Sequence, residues 1–481
     1  MPRVERAEPA ASPAPEGNPL HAFGQWIAAT PADWPERALE AARLQYIDLL
    51  GVAIAGAEED VCRRTRDTIA QWGAGRSSVI GQPAGLAPPW AALVNGAAAH
   101  ALDFDDNFDP AKAHASAVLV PAILALAEGR AGEPPISGFA MLDAYIVGLQ
   151  IMGRTGQGVN PYHRDRGWHA TATLGAIGAA AACARLLRLS AGQAAHALSL
   201  ATSMASGSMA QFGTMAKPLH AGLAAKAGVM AASLAREGVT AGEGTFDGPH
   251  GINRLMVGPD YEQLRDNLGP ILHGQTMRFA MRDVGDPLLI LSDGFRVKRF
   301  ANCGSAHRAM DGLLELIEQH DFGPDDVEQI IVSAPESHLA NLRYTHPRDV
   351  LEARFSLEFG LAVLLLTRQC RLTDFSPEMV GDPRIQALYG RITRVPVGET
   401  EGAFPTRVHV RLRDGGEYTV SKAVPEGSRT RPFGEDVYWA KFASCLSYAG
   451  RDADFAGLRA ILADFRSLPD IAVLGRQLRA G

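Results

Sequence analysis

Residues 170–187 read ATATLGAIGAAAACARLL, and almost every position is small or apolar. Such a stretch buries little area per residue, so it can only be held in place by neighbours that approach very closely. Alanine favours helix, and a helix without bulky side chains lets another backbone come near. The same texture returns in AALVNGAAAHALDF (91–104) and HAGLAAKAGVMAASLAREG (220–238). Closely packed helices are therefore the first expectation. The 170–187 stretch ends in arginine and is mostly alanine and glycine, which makes it a poor membrane span.

Other segments between about 19 and 275 also place apolar residues at helical spacing, among them EDVCRRTRDTIAQW, HASAVLVPAILALAEG, GFAMLDAYIVGLQIMGR and SAGQAAHALSLATSMA. After about 280 the pattern changes. VEQIIVSAP (327–335), TRVHVRLRDG (406–415) and EYTVSKAV (417–424) alternate as strands do, and Asp414-Gly415-Gly416 signals a hairpin between the last two. Helices remain among them, in HRAMDGLLELIEQH and ARFSLEFGLAVLLLTRQ, and past Pro432 the chain is helical again. The fold class expected is mainly α. A large helical domain is built from residues 19–277 and 433–481, with an α+β domain over 278–432 inserted between them. The Pro- and Ala-rich start, residues 1–18, is expected to be a disordered tail. A cleft between the two domains is the default place for a small-molecule site.

Charge excludes several function classes. The formal net charge is -7, and no basic run suggests nucleic acid or a membrane surface. The five cysteines form no CxxC pair, which argues against a zinc ribbon or disulfide framework and fits a reducing cytoplasm. There is no GxGxxG followed by an acid, no GxxxxGK[ST] and no GxSxG elbow.

Four segments carry residues that folding alone does not require. HALDFDDNFDPAKAHASA (100–117) sets Asp103, Asp105, Asp106 and Asp109 between His100 and His114. Asp103 and Asp106, at i and i+3, are expected on one side of a helix end. On composition alone, helix capping and solvation account for these acids as well as magnesium binding does. RDRGWHATATLG (164–175) puts His169 at a helix start, where the dipole favours a neutral imidazole or a bound anion, although taken alone this histidine fits a hydrogen-bonded core residue slightly better. GTMAKPLHAGLAAKAG (213–228) sets Lys217 and His220 beside Pro218 at another helix start, a place suited to anions. FRVKRFANCGSAHRAMD (295–311) brings Lys298, Arg299, Cys303 and His307 before an amphipathic helix. Together these segments suit a di- or tricarboxylate: cations bind the carboxylates, and His or Asp moves a proton on the carbon beside one of them.

HALDFDDN with HASAVLVPAILALAE, GWHATATLGAIGAAAACARLL, AKPLHAGLAAKAG, KRFANCGSAHRAMDGLLEL and YTHPRDVLEARFSLEFGLAVLL, in that order, resemble the motifs of the MmgE/PrpD family. That family includes 2-methylcitrate dehydratase, cis-aconitate decarboxylase and iminodisuccinate epimerase. The resemblance implies a helical domain with a smaller α+β lid, a homodimer, and no metal or organic cofactor. It matches Asp103, His114, His169, Lys217 and Tyr344 to catalytic positions, and Asn107, His220, Lys298 and Cys303 to the substrate pocket, where Arg299, adjacent to Lys298, is expected as well. Asn107 stands where the family block has threonine, Ala115 and Ala170 replace prolines, and Ala301-Asn302 replaces a Pro-Cys pair. Cys303 occupies a position that is histidine in the decarboxylase.

The leading expectation is a cofactor-independent hydro-lyase on a small polycarboxylate, of the 2-methylcitrate or citrate dehydratase type. Lys217, Lys298 and Arg299 bind carboxylates, His114 or His169 is the base, the other histidine or Asp103 is the acid, and Tyr344 orients the substrate. Asp105, Asp106 and Asp109 hold the loop and cap helices. A cis-aconitate-type decarboxylase, an iminodisuccinate-type epimerase and a non-catalytic carboxylate-binding protein are the alternatives.

Overall fold

The computed structural model describes residues 17–130, 133–269, 273–398 and 404–479. Most of the tail expected over 1–18 lies outside the described residues. Asn18 lies inside them and caps the helix Pro19–Ala29, its side chain accepting a hydrogen bond from the Leu20 amide.

The small-residue segments form the centre of the molecule. Every residue of helix Ala170–Leu186 except Arg185 is buried. Helix Ala216–Arg236 packs against it and against helix Pro88–Ala101. A Cβ on Gly222 would lie 2.1 Å from the Leu93 carbonyl oxygen, and one on Gly96 would lie 2.6 Å from the Gly222 Cα. These two helices carry His100 and Lys217, so their close approach sets the spacing of the site. Gly222→Ala must push backbone against backbone and is expected to cost about 2–3 kcal/mol in denaturant unfolding. Gly192→Ala, where an added Cβ meets nothing within 4 Å, is the control and should be nearly neutral.

Two clusters of buried apolar side chains organise the chain. The first runs through the helices from Leu20 to Val297 and takes in Tyr438, Trp439, Phe442, Leu446, Phe465 and Leu478. Helix Glu435–Tyr448 thus returns to the first core and packs on helix Glu36–Gly56. The second cluster runs from Phe300 to Leu412, with Val52, Ala55, Leu102 and Phe104 reaching in from the helical side.

A short strand β1 (Ala74–Ser77) stands apart from one four-stranded sheet. The sheet is formed by β2 (Val327–Ala334), β3 (Ile392–Pro396), β4 (Thr406–Leu412) and β5 (Glu417–Lys422), in the order β3-β2-β4-β5. β4 and β5 form the expected hairpin, with Gly415 at φ +90° and the Gly416 amide donating to Asp414 Oδ1. β3 pairs parallel to β2, with Ile330 opposite Ile392. Its sequence, ITRVP, is too short to announce a strand. Helix His307–His320 covers one face of β4 and β5. Among the described residues no helix is long and apolar enough to cross a membrane.

Candidate active site

Helix Pro88–Ala101 delivers His100 in its last turn and then stops. Asp103 takes a left-handed backbone, φ +49°, a conformation that aspartate tolerates better than most residues. The helix therefore does not carry Asp103 and Asp106 on one face, contrary to the i, i+3 expectation. Asp106 turns to the next helix, Ser116–Glu128, and accepts from the Ser116 amide at 3.2 Å and the Ser116 hydroxyl at 3.0 Å. Burial, with Asp105 nearby, pushes its carboxyl up to about 8.

Asp103 points the other way. Its Oδ1 accepts from Lys298 Nζ at 2.6 Å and lies 2.9 Å from Lys217 Nζ, and Lys298 also donates to the Asp103 carbonyl at 2.6 Å. Burial alone would raise this carboxyl, but the two ammonium groups outweigh it and hold it well below the usual range. Two cations on one carboxylate leave one positive charge unmatched in a buried site, an arrangement suited to an anion. Asp103 Oδ2 is buried with no hydrogen-bond partner among the described residues.

His114 lies between two acids. Its Nε2 is 3.9 Å from Asp103 Oδ1, and its Nδ1 is 3.1 Å from Asp105 Oδ2. Asp105 also accepts from His100 Nδ1, at 2.9 and 3.0 Å. A carboxylate accepting from both Nδ1 atoms leaves each Nε2 free, so Asp105 fixes the tautomer of His114. The Asn107 amide nitrogen lies 3.4 Å from His114 Nε2. His169 stands at the N-cap of helix Ala170–Leu186, its Nδ1 is 3.0 Å from His220 Nδ1, and its ring packs on the edge of Phe212. Burial lowers His114 and takes His169 well below its ordinary value, with Lys217 adding to both shifts.

These groups line one cavity of about 90 Å³. Asp103, Asn107, His114, His169, Lys217 and Cys303 all face it. Lys298 stands behind Asp103, and His220 behind His169. Burial raises the Cys303 thiol, which keeps it protonated and makes it a wall rather than a nucleophile. Tyr344 is not brought into the lining; its hydroxyl lies 3.5 Å from the Phe212 carbonyl. Arg299 does not reach the cavity at all. Its guanidinium pairs with Asp311 at 3.5 Å, lies over the Phe300 ring, and borders a separate cavity with Phe433 and Lys441. The physical reason is local: Lys298 Nζ turns to Asp103 and the Arg299 guanidinium to Asp311, although both residues border that separate cavity.

Four groups at the site have no catalytic or binding role in the sequence expectations. Asp105 and His100 complete the histidine cluster. Arg296, bonded to Asp109 at 2.6 Å, and Arg164 complete the lining. For Asp105 the only signal was its place between two histidines; Arg164, on the short helix Tyr162–Asp165, had none.

His100, Asp103, Asp105 and His114 offer ligand atoms within 4.8 Å of one another. The two ammonium groups on Asp103 stand against a divalent ion there, because they place two positive charges beside the position it would take.

The MmgE/PrpD N-terminal domain model matches residues 21–264, and the MmgE/PrpD C-terminal domain model matches 300–461. The chain belongs to the MmgE/PrpD family. Family relatives include the cis-aconitate decarboxylase of Homo sapiens, 26% identical over 92% of this chain and 91% of that protein. The Mus musculus enzyme of the same name is 27% identical over 90% of this chain and 87% of its own. That of Aspergillus terreus is 27% identical over 82% of each. For this MmgE/PrpD chain, sequence and relatives alike indicate an enzyme of lyase type, and the relatives favour the decarboxylase alternative over the dehydratase that led the sequence reading.

Proposed function

We propose that the protein is a cofactor-independent lyase that decarboxylates a small unsaturated tricarboxylate of the cis-aconitate class. The observation that carries this reading is the pair of lysines on Asp103 beside the Asp105–His114 pair, in a cavity lined by further cations. The relatives' names supply the reaction type. In such a substrate, the bond from a CH₂ group to its carboxylate breaks and CO₂ leaves. The electron pair forms a new double bond to the central carbon. The former double-bond pair collects on the carbon beside another carboxylate, where a proton from His114 or His169 ends. Lys217 and Lys298 stabilise the negative charge that develops on that carboxylate. In the free protein burial disfavours the imidazolium, and the arriving carboxylates act in the opposite direction.

Cys303 favours a second reading. It stands where the resemblance places histidine in the decarboxylase and cysteine in many other relatives, which supports a hydro-lyase of the 2-methylcitrate type. The α+β segment 278–432 as a lid over the helical domain, and a homodimer, belong to the same proposal; light scattering tests the latter. The five cysteines are all unpaired, which supports a reducing compartment such as the cytoplasm.

Incubation with cis-aconitate, 2-methylcitrate, citrate and iminodisuccinate, with and without EDTA, tests the reading. CO₂ and a five-carbon dicarboxylate from cis-aconitate are expected, unchanged by chelator. Water loss from 2-methylcitrate without CO₂ would select the second reading, and loss of all turnover in EDTA would overturn the cofactor-free mechanism.

A further inference from the structure

Lining the same cavity, away from the lysine pair, is an arginine that nothing has yet assigned. Arg164 faces the cavity together with Ser305 and Asn341. Its guanidinium donates to Asn341 Oδ1 at 3.1 Å, and Asn341 Nδ2 donates to Ser305 Oγ at 2.9 Å. Among the described residues no carboxylate pairs with Arg164. The contrast within the lining is sharp. Arg296 is matched by Asp109 at 2.6 Å, and Lys217 shares Asp103. Asn341 holds the Arg164 guanidinium in place with a neutral oxygen, so the positive charge stays available. Ser305 Oγ accepts from Asn341 and so keeps its own proton to donate. Arg164 comes from the helical side of the molecule, and Ser305 and Asn341 come from the side that carries the sheet.

We propose that Arg164, Asn341 and Ser305 form a subsite for a second carboxylate of the substrate, and that this subsite makes the enzyme select polycarboxylates. A carboxylate seated there accepts from the Arg164 guanidinium and the Ser305 hydroxyl, and it ties the two sides of the cavity together. The inference rests on the reading of this cavity as a carboxylate site, but not on which bond the enzyme breaks.

Calorimetric titration of the full chain with tricarballylate, a saturated tricarboxylate, separates binding from turnover. Arg164→Gln is expected to weaken Kd roughly 30-fold, the loss of a charge-assisted pair. Asn341→Asp places a carboxylate against the guanidinium from within the chain and should weaken Kd about as much, by neutralising Arg164 without removing it. Ser305→Ala should cost about 3-fold. Dependence of binding on Arg164 with no turnover of any polycarboxylate would support the subsite while removing the decarboxylase reading. Arg164→Gln and Asn341→Asp both binding within twofold of wild type would overturn the subsite. So would a wild-type protein that does not bind tricarballylate at millimolar concentration.

Discussion

His114→Ala is expected to lower kcat by roughly a thousandfold on whichever polycarboxylate the wild type turns over, with KM changed only a few-fold. Among the described residues, the imidazole is the only titratable ring near both Asp103 and Asp105 that also faces the cavity. The lysine pair proposed to attract the carboxylate stays in place without it, since Lys217 and Lys298 are held by Asp103. Binding should therefore survive while proton transfer fails, and the kcat effect should far exceed the KM effect. Steady-state kinetics read the outcome, with thermal unfolding as the check on folding. A folded variant with kcat within threefold of wild type would remove His114 from the chemistry. His169 would then be the proton carrier, since its ring also faces the cavity.

The helical core was legible because small residues at helical spacing leave few other ways to bury them. Gly222 and Gly96 show why: their contacts are backbone on backbone, and only glycine permits them. The hairpin at Asp414-Gly415-Gly416 was legible for the same local reason. β3 was not, because a parallel strand takes its identity from a partner sixty residues away rather than from its own pattern. At the site, the residue types were legible and their pairings were not. The sequence joins Asp103 to His114, whereas the shortest contact of His114 is to Asp105. The difference comes from one dihedral angle. The left-handed turn at Asp103 sends its carboxylate to the lysines and leaves Asp105 between the histidines. No spacing rule predicts that turn, since aspartate takes it only when the surroundings hold it there. Arg299 fails for a related reason, as its guanidinium turns to Asp311 and borders a separate cavity.

Asp105→Asn should lower kcat about a hundredfold at near-neutral pH while leaving the cavity lining unchanged in composition. Asp105 accepts from two ring N–H groups, with both of its oxygens near His100 Nδ1 and one near His114 Nδ1. An asparagine has only one accepting oxygen, so its NH₂ group meets at least one of these ring nitrogens. That histidine must then take the other tautomer. Charge acts in the same direction. Burial is the largest influence on His114 and lowers its pKa, and the negative charge of Asp105 is the main force opposing it. Removing that charge makes the imidazolium less stable, so the pKa falls further. If His114 delivers the proton, activity declines as pH rises through its pKa in the complex, and in the variant this decline moves to lower pH. If His114 accepts the proton, the rising acid limb moves to lower pH and the loss at neutral pH comes from tautomer and orientation alone. Either shift separates Asp105 from a residue that merely braces the loop, because bracing changes the height of a pH profile and not its position. A variant with reduced kcat and an unmoved profile would make Asp105 structural, and would leave Asp103 as the only carboxylate acting on His114.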